Sequence, residues 1–232
     1  AAFSLAAIIT FFHSTISFML FTELSKKWAN KNKAYIINLL KKIFTAYLAL
    51  TIPFLVYIGI AGSDILLLIT TKDYLVSSKL LFLISFNIAI FGFYQFTYHI
   101  VLLERGSSNA PIMMLLATGI NILINFTLVP KIGILGAALA GFFSNSVIAI
   151  ISYKISQNIL KYKFPFKECV KISIRSLIMG VVIWQGMILL GNDIISLLII
   201  SVIAALIYIL LDFFGSKDSS FISITKIDSF LK

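Results

Sequence analysis

Long uncharged runs alternate with short charged stretches over the whole of this chain. Seven runs stand out, near residues 1–21, 43–62, 80–103, 110–129, 132–155, 172–190 and 194–214. Each is close to the roughly 20 residues that an α-helix, rising 1.5 Å per residue, needs to cross a ~30 Å hydrocarbon core. The pattern predicts an all-α fold, a polytopic membrane bundle of about seven transmembrane helices. The apolar DILLLITT after the second run is either its continuation or a segment lying at the interface.

The stretch from Gly106 to Ile150 carries the sharpest local signals. Ala110 to Val129 gives 20 residues without a charge. Pro130 and Gly133 are expected to stop that helix, and the short turn VPKIG makes its neighbour antiparallel. The next helix opens with GILGAALAG, in which Gly133, Gly136, Ala137, Ala140 and Gly141 recur at helical spacing. In lipid, burial of oily side chains gives no net drive, and small residues let another backbone approach. These five are therefore expected packing positions. Asn121 and Asn125 lie one turn apart and share a face. Amides at mid-bilayer depth need partners, so that face should look at protein or a cavity rather than at lipid.

Composition agrees with a membrane protein: 60% of residues are hydrophobic and 12% charged, with a mean hydropathy of +1.04. A soluble domain carries ~25% charged residues. The formal charge of +10 does not point to nucleic acid, because the charges fall between apolar runs rather than on a folded basic face. Assigned to alternate loops, Lys and Arg divide 16 against 3. The larger set follows the first, third, fifth and seventh runs. The positive-inside rule then places those loops and the C-terminus in the cytoplasm of a multi-pass cell-membrane protein. On that assignment 157–171 is a basic cytoplasmic loop and 215–232 a cytoplasmic tail. Two segments carry an amphipathic stripe. Leu24 to Lys42 sets Leu24, Trp28, Tyr35 and Leu39, with Ile43 just beyond, against lysines; the tail sets out Phe221, Ile224, Ile227 and Phe230 more weakly. They are either helices at the headgroups, drawn to anionic lipid, or ordinary connectors.

Candidate chemistry is confined to intramembrane polar groups, each of which is costly unless used or paired. On the third run Asn87, Phe91, Gln95 and His99 recur every fourth residue, forming a stripe that drifts slowly round the helix, with Tyr94 and Tyr98 alongside. It reads either as the lining of a substrate pathway, amides and phenols facing sugar or phosphate oxygens, or as inter-helix bonding that fixes packing. His13 and His99 could carry protons or be packed neutral; on separate runs, with no acidic partner in register, they make no metal site. Asp64, Asp73, Asp193 and Asp212 fall at or near run ends, which speaks against a carboxylate ion relay here. Pro53, in the middle of the second run, removes one backbone hydrogen bond, displaces the carbonyl of Ala49, and is a candidate hinge, as is Pro130. One cysteine, Cys169, leaves no intrachain disulfide and no cysteine-based metal cluster. Enzyme signatures are missing: GxSxG, HExxH, a Walker loop, and paired carboxylates on one site. The residues require no cofactor, and a transport role fits better than an enzymatic one.

The stretch GINILINFTLVPKIGILGAALAGFFSNSV resembles a signature of polysaccharide biosynthesis transporters: N-x-x-x-N, then I/V-P-x-x-G-I-x-G-A-A. These are lipid-linked oligosaccharide flippases of the multidrug/oligosaccharidyl-lipid/polysaccharide exporter superfamily. LLLITTKDY and VLLERGSSNAPIMMLLATGINILIN are similar to the family's preceding turn and its linker into the asparagine helix. TELSKKWANKNKAYIINLLKK stands where the family has a cytoplasmic loop; the usual proline is absent there and Glu23 stands nearby.

The resemblance implies a MATE-like fold, with 1–156 belonging to the C-terminal lobe and 172–214 supplying two further helices. It also implies that an N-terminal lobe of the same chain is missing from these residues. Such a protein is expected to flip a lipid-linked sugar across the cell membrane by rocking two lobes alternately open. Its partners would be membrane lipid and that sugar-bearing substrate, with Asn121, Asn125 and Gln95, joined by Asn87 and His99, lining the pathway. Two alternatives stand beside it: a multidrug or cation antiporter of the same superfamily, and a non-transporting membrane subunit of a polysaccharide assembly machine.

Overall fold

A computed structural model describes residues 2–30, 32–70, 77–106 and 109–215. These form helices α1 (Ala2–Ala6), α2 (Ile8–Ala29), α3 (Lys33–Ile69), α4 (Ser78–Arg105), α5 (Asn109–Ile132), α6 (Ile134–Ile159), α7 (Phe166–Leu190) and α8 (Ile194–Gly215). Among the described residues seven helices, α2 to α8, are long and apolar enough to cross a membrane, as the hydropathy pattern predicts. The amphipathic tail beyond Ser219 lies outside the described residues.

Helix bounds depart from the apolar runs where hydropathy and backbone geometry answer different questions. The stretch from Leu24 to Lys42 is not one interfacial helix. α2 continues to Ala29, and α3 starts at Lys33. Asn32 begins the new helix by accepting from the Tyr35 backbone N–H through its side-chain oxygen, 3.2 Å away, the usual role of an amide at a helix start. At the other end DILLLI continues α3, which has 37 residues and at 1.5 Å each is about 55 Å long. The lysines at its start end the apolar run without ending the helix. Pro130 does not stop α5 either. The helix runs two residues further to Ile132, because the lost N–H falls in the final turn, where little of the helix remains to break. The break is Gly133, whose φ of +58° favours glycine; its N–H closes on the Val129 carbonyl at 2.8 Å.

The chain divides into two compact units. The first takes in Ala1–Leu5, Lys42–Phe82 and Phe164–Lys232. Its core joins α3, α7 and α8 through Ala61, Met179, Ile183, Ile200, Ala204 and Tyr208. Gly180 allows the approach of α3, since a Cβ there would stand 2.7 Å from Val56 Cγ1. Tyr57 and Ser201 share a 2.6 Å hydrogen bond between α3 and α8. α8 is held at its start by Asp193, whose carboxylate accepts from the hydroxyl (2.8 Å) and backbone N–H (3.2 Å) of Ser196. These bonds, the hydroxyl's first, hold the Asp193 carboxyl below the usual carboxylate range.

The second unit is Ala6–Lys41 and Leu83–Lys163. Tyr94, Val101, Met113, Ile148 and Ala149 form its core between α4, α5 and α6. α5 and α6 pack with their backbones close together. A Cβ on Gly136 would meet the Leu128 carbonyl carbon and oxygen at 2.7 Å, so only glycine fits without a shift of backbone. Elsewhere α5 turns Leu115, Leu123 and Phe126 outward, the last 78% exposed.

Candidate functional site

The polar groups of the second unit gather on the facing sides of α4, α5 and α6. Asn125 and Asn121, at i and i−4 on α5, bond to each other: the Asn125 amide donates to the side-chain oxygen of Asn121 at 2.8 Å and to its backbone carbonyl at 2.9 Å. Asn121 then donates across to the Ser144 hydroxyl on α6 at 3.3 Å, and Ser144 to the Gly141 carbonyl at 3.0 Å. On the other flank of α6, Asn145 donates to the side-chain oxygen of Asn87 on α4 at 2.7 Å. Gly141 makes room for that pair, since a Cβ there would stand 2.5 Å from Asn87 Nδ2. Three helices are thus joined through amides and hydroxyls. Inter-helix bonds of this kind contribute ~0.6 kcal/mol each on average.

The stripe on α4 does not face one way. Four residues of helix turn through about 400°, so Asn87 and His99 lie roughly 120° apart around α4. Asn87 accordingly meets α6, whereas His99 meets α2, its Nε2 2.6 Å from the Ser17 hydroxyl. Between them Thr97 donates to Ser152 on α6 at 2.9 Å. Gln95 makes no hydrogen bond within the described residues. The buried His99 Nδ1 and Tyr98 hydroxyl also have no partner there. His13, on α2, packs edge-on to Phe91 at 6.0 Å.

The expected packing glycines and alanines separate in the same way. Gly136, Ala140 and Gly141 lie where helices approach. Gly133 does not: it is an exposed turn residue with nothing within 4 Å of where a Cβ would be. Ala137 is also exposed. Gly133 precedes α6, and Ala137 lies a step of about 100° round that helix from buried Gly136, so only part of the repeat faces its neighbours.

Asn145, Ser144, Ser17 and Ser152 are partners that the sequence pattern did not single out. Asn145 could have been found, as a mid-helix amide in the same Gly106 to Ile150 stretch. A further charged site lies in the first unit. Arg175 on α7 forms an ion pair with Asp212 on α8, and the two residues are 7% and 0% exposed. Arg175 is therefore already neutralised by protein. One turn before Asp212, the Tyr208 hydroxyl donates to the Ala49 carbonyl of α3 at 2.9 Å. Pro53 leaves that carbonyl without its helical donor, and α3 remains continuous through it. No group of three His, Cys, Asp or Glu that could hold a metal ion occurs among the described residues.

Comparison with known proteins gives the fold a reference. No protein-family model matches the chain. An uncharacterized membrane protein of Methanocaldococcus jannaschii is 23% identical over 211 residues, covering 90% of this chain and 41% of that protein. Among solved structures, the lipid II flippase MurJ in an inward closed conformation matches with a TM-score of 0.70 and 23% identity. The match covers 94% of this chain and 48% of MurJ. The chain thus spans less than half the length of either protein. It is a multi-pass membrane protein, and its all-helical arrangement is that of a MurJ-like fold.

Proposed function

We propose that this chain forms one lobe, with two further helices, of a transporter that flips a lipid-linked oligosaccharide or polysaccharide precursor by alternating access. The observation that carries the reading is the MurJ-like fold extending over 94% of the chain. In this reading an N-terminal lobe of the same protein completes the pathway, and the basic loops and C-terminus face the cytoplasm.

Asn87, Gln95, His99, Asn121 and Asn125 are the pathway residues of the proposal. Four of them already hold protein partners. They can serve a sugar only by exchanging these bonds, amide–amide for Asn87 and Asn125, amide–hydroxyl for Asn121 and imidazole–hydroxyl for His99, for bonds to sugar hydroxyls, which costs little because one hydrogen bond replaces another. Gln95 has no such bond to give up. Pro53 and Pro130 are the points where α3 and α5 lack a helical hydrogen bond, and they are the hinges of the proposal.

The test is translocation by the intact protein in proteoliposomes, read as exposure of the sugar to an enzyme added outside. Movement of prenyl-pyrophosphate saccharides across the bilayer supports the proposal. Failure across a panel of such lipids, in a folded preparation, rejects it. Sidedness is read separately. After replacing Cys169, single cysteines at Lys161 and Lys131 are expected to label from the cytoplasmic and external sides respectively.

A further inference from the structure

The second unit is electrically lopsided. In a spanning bundle α2, α4 and α6 finish at one end, where α3 and α5 start. Within Ala6–Lys41 and Leu83–Lys163, that end holds nine Lys and Arg against two acids, Glu23 and Glu104; Lys131 is alone at the other. The formal excess at that end is seven positive charges. Glu23 is buried and bound to Lys26 at 3.2 Å, while Lys33, Lys154, Lys161 and Lys163 are exposed and form no ion pair among the described residues.

One corner fixes part of this charge in place. After α6 the chain reads KYK, and the central Tyr162 is 3% exposed. Its hydroxyl is 2.6 Å from that of Ser156, and its carbonyl accepts from Gln157 Nε2 at 3.0 Å. Gln157 also donates to the Tyr153 hydroxyl at 2.8 Å. Burial pushes the Tyr162 phenol well above its usual range, so it stays neutral. With the tyrosine held inward, its two neighbours, Lys161 and Lys163, stand outward into solvent. Aromatic rings accompany the lysines at the other connection too, where Lys27 Nζ lies 5.0 Å above the ring of Tyr35 and Trp28 is half-buried.

We propose that this basic end of the second unit, Lys154, Lys161 and Lys163 at the close of α6 and Lys33 at the start of α3, is a binding surface for anionic phospholipid headgroups. The charge is complementary, and the tyrosine and tryptophan rings beside it suit the headgroup depth of a bilayer rather than a soluble anion. The surface is independent of what the protein transports.

The intact protein is to be purified and titrated with phosphatidylglycerol and phosphatidylcholine, with bound lipid counted by native mass spectrometry. The wild type is expected to prefer phosphatidylglycerol. Each basic charge near an anionic surface is worth roughly fivefold, so the triple variant K154Q/K161Q/K163Q should lose roughly a hundredfold in affinity, while the triple arginine variant keeps it. Equal binding of the two lipids, or unchanged affinity in the glutamine variant, overturns the proposal. So does displacement of phosphatidylglycerol by inorganic pyrophosphate, which would mark a site for soluble phosphate instead.

Discussion

The hydroxyl of Tyr208 on α8 donates to the backbone carbonyl of Ala49 on α3, the oxygen that Pro53 leaves without a helical donor. A proline in a membrane helix is tolerated when a neighbour satisfies the freed carbonyl, and here the neighbour is a phenol on another helix. Tyr208→Phe is expected to destabilise by about 1–2 kcal/mol by orphaning that carbonyl. In a Pro53→Ala background the helix supplies its own donor, and the same change should cost about 0.5 kcal/mol or less. Unfolding of the four proteins of this cycle in mixed micelles measures the coupling; additive effects would mean that Tyr208 matters through packing alone.

Arg175 and Asp212 make the stronger tie between α7 and α8. Removing either partner alone leaves a buried charge, so Arg175→Met or Asp212→Asn should cost roughly 3–5 kcal/mol. The double replacement Arg175→Met with Asp212→Leu should recover most of it. The same unfolding measurement decides this, with no recovery in the double variant as the contrary result.

Three glycines should rank by what a methyl group would meet. At Gly136 it meets backbone of α5, which cannot step aside, and Gly136→Ala should cost about 2–3 kcal/mol. At Gly141 it meets the end of the Asn87 side chain, which can swing away at the loss of its bond to Asn145; about 1 kcal/mol is expected. At Gly119 nothing lies within 4 Å, and alanine should be neutral or stabilise by up to about 1 kcal/mol. Thermal inactivation of the intact protein orders the three.

Asn125 and Asn121 separate structure from transport. Among the described residues Asn125 bonds only within α5, whereas Asn121 reaches Ser144 on α6. Asn125→Leu should therefore leave stability within about 0.5 kcal/mol of wild type, and Asn121→Leu should lower it by ~0.6 kcal/mol or a little more. A transport defect in the stable Asn125→Leu protein then reports on the pathway. Normal flipping by both variants at normal expression would remove these asparagines from it.

Asp193 gives a pH dependence whose sign is set by its two bonds from Ser196. A carboxyl held below its ordinary value in the folded protein stabilises fully above that ordinary value, about pH 4, and loses the contribution as pH falls through the lowered one. Amide exchange in the first turn of α8, corrected for intrinsic rates, should rise on acidification in the wild type. Asp193→Ala should raise it at neutral pH and flatten the acid response.

What the sequence made legible was set by the physics of each signal. Twenty uncharged residues have few uses besides crossing a membrane, so the seven helices could be counted. A spacing of four puts two residues on one face, so the shared face of Asn121 and Asn125 followed from their numbers, though not their bond to each other. Periodicity says which face, however, and never which neighbour. Asn87 and Asn145 are 58 residues apart, Arg175 and Asp212 are 37 apart, and nothing local links either pair. The drift of the α4 stripe was visible, but only the packed helices show that it carries Asn87 and His99 to different partners. Hydropathy likewise marks where lipid ends, which is why the lysine-rich first turns of α3 escaped it.

The break at Gly133 bears on how the protein is made. A single residue between two spanning helices leaves no loop that could be passed through the bilayer by itself. α5 and α6 are therefore expected to enter during biogenesis together, as one hairpin, rather than one after the other. Asn121 then has its Ser144 partner on α6 at hand as the pair inserts.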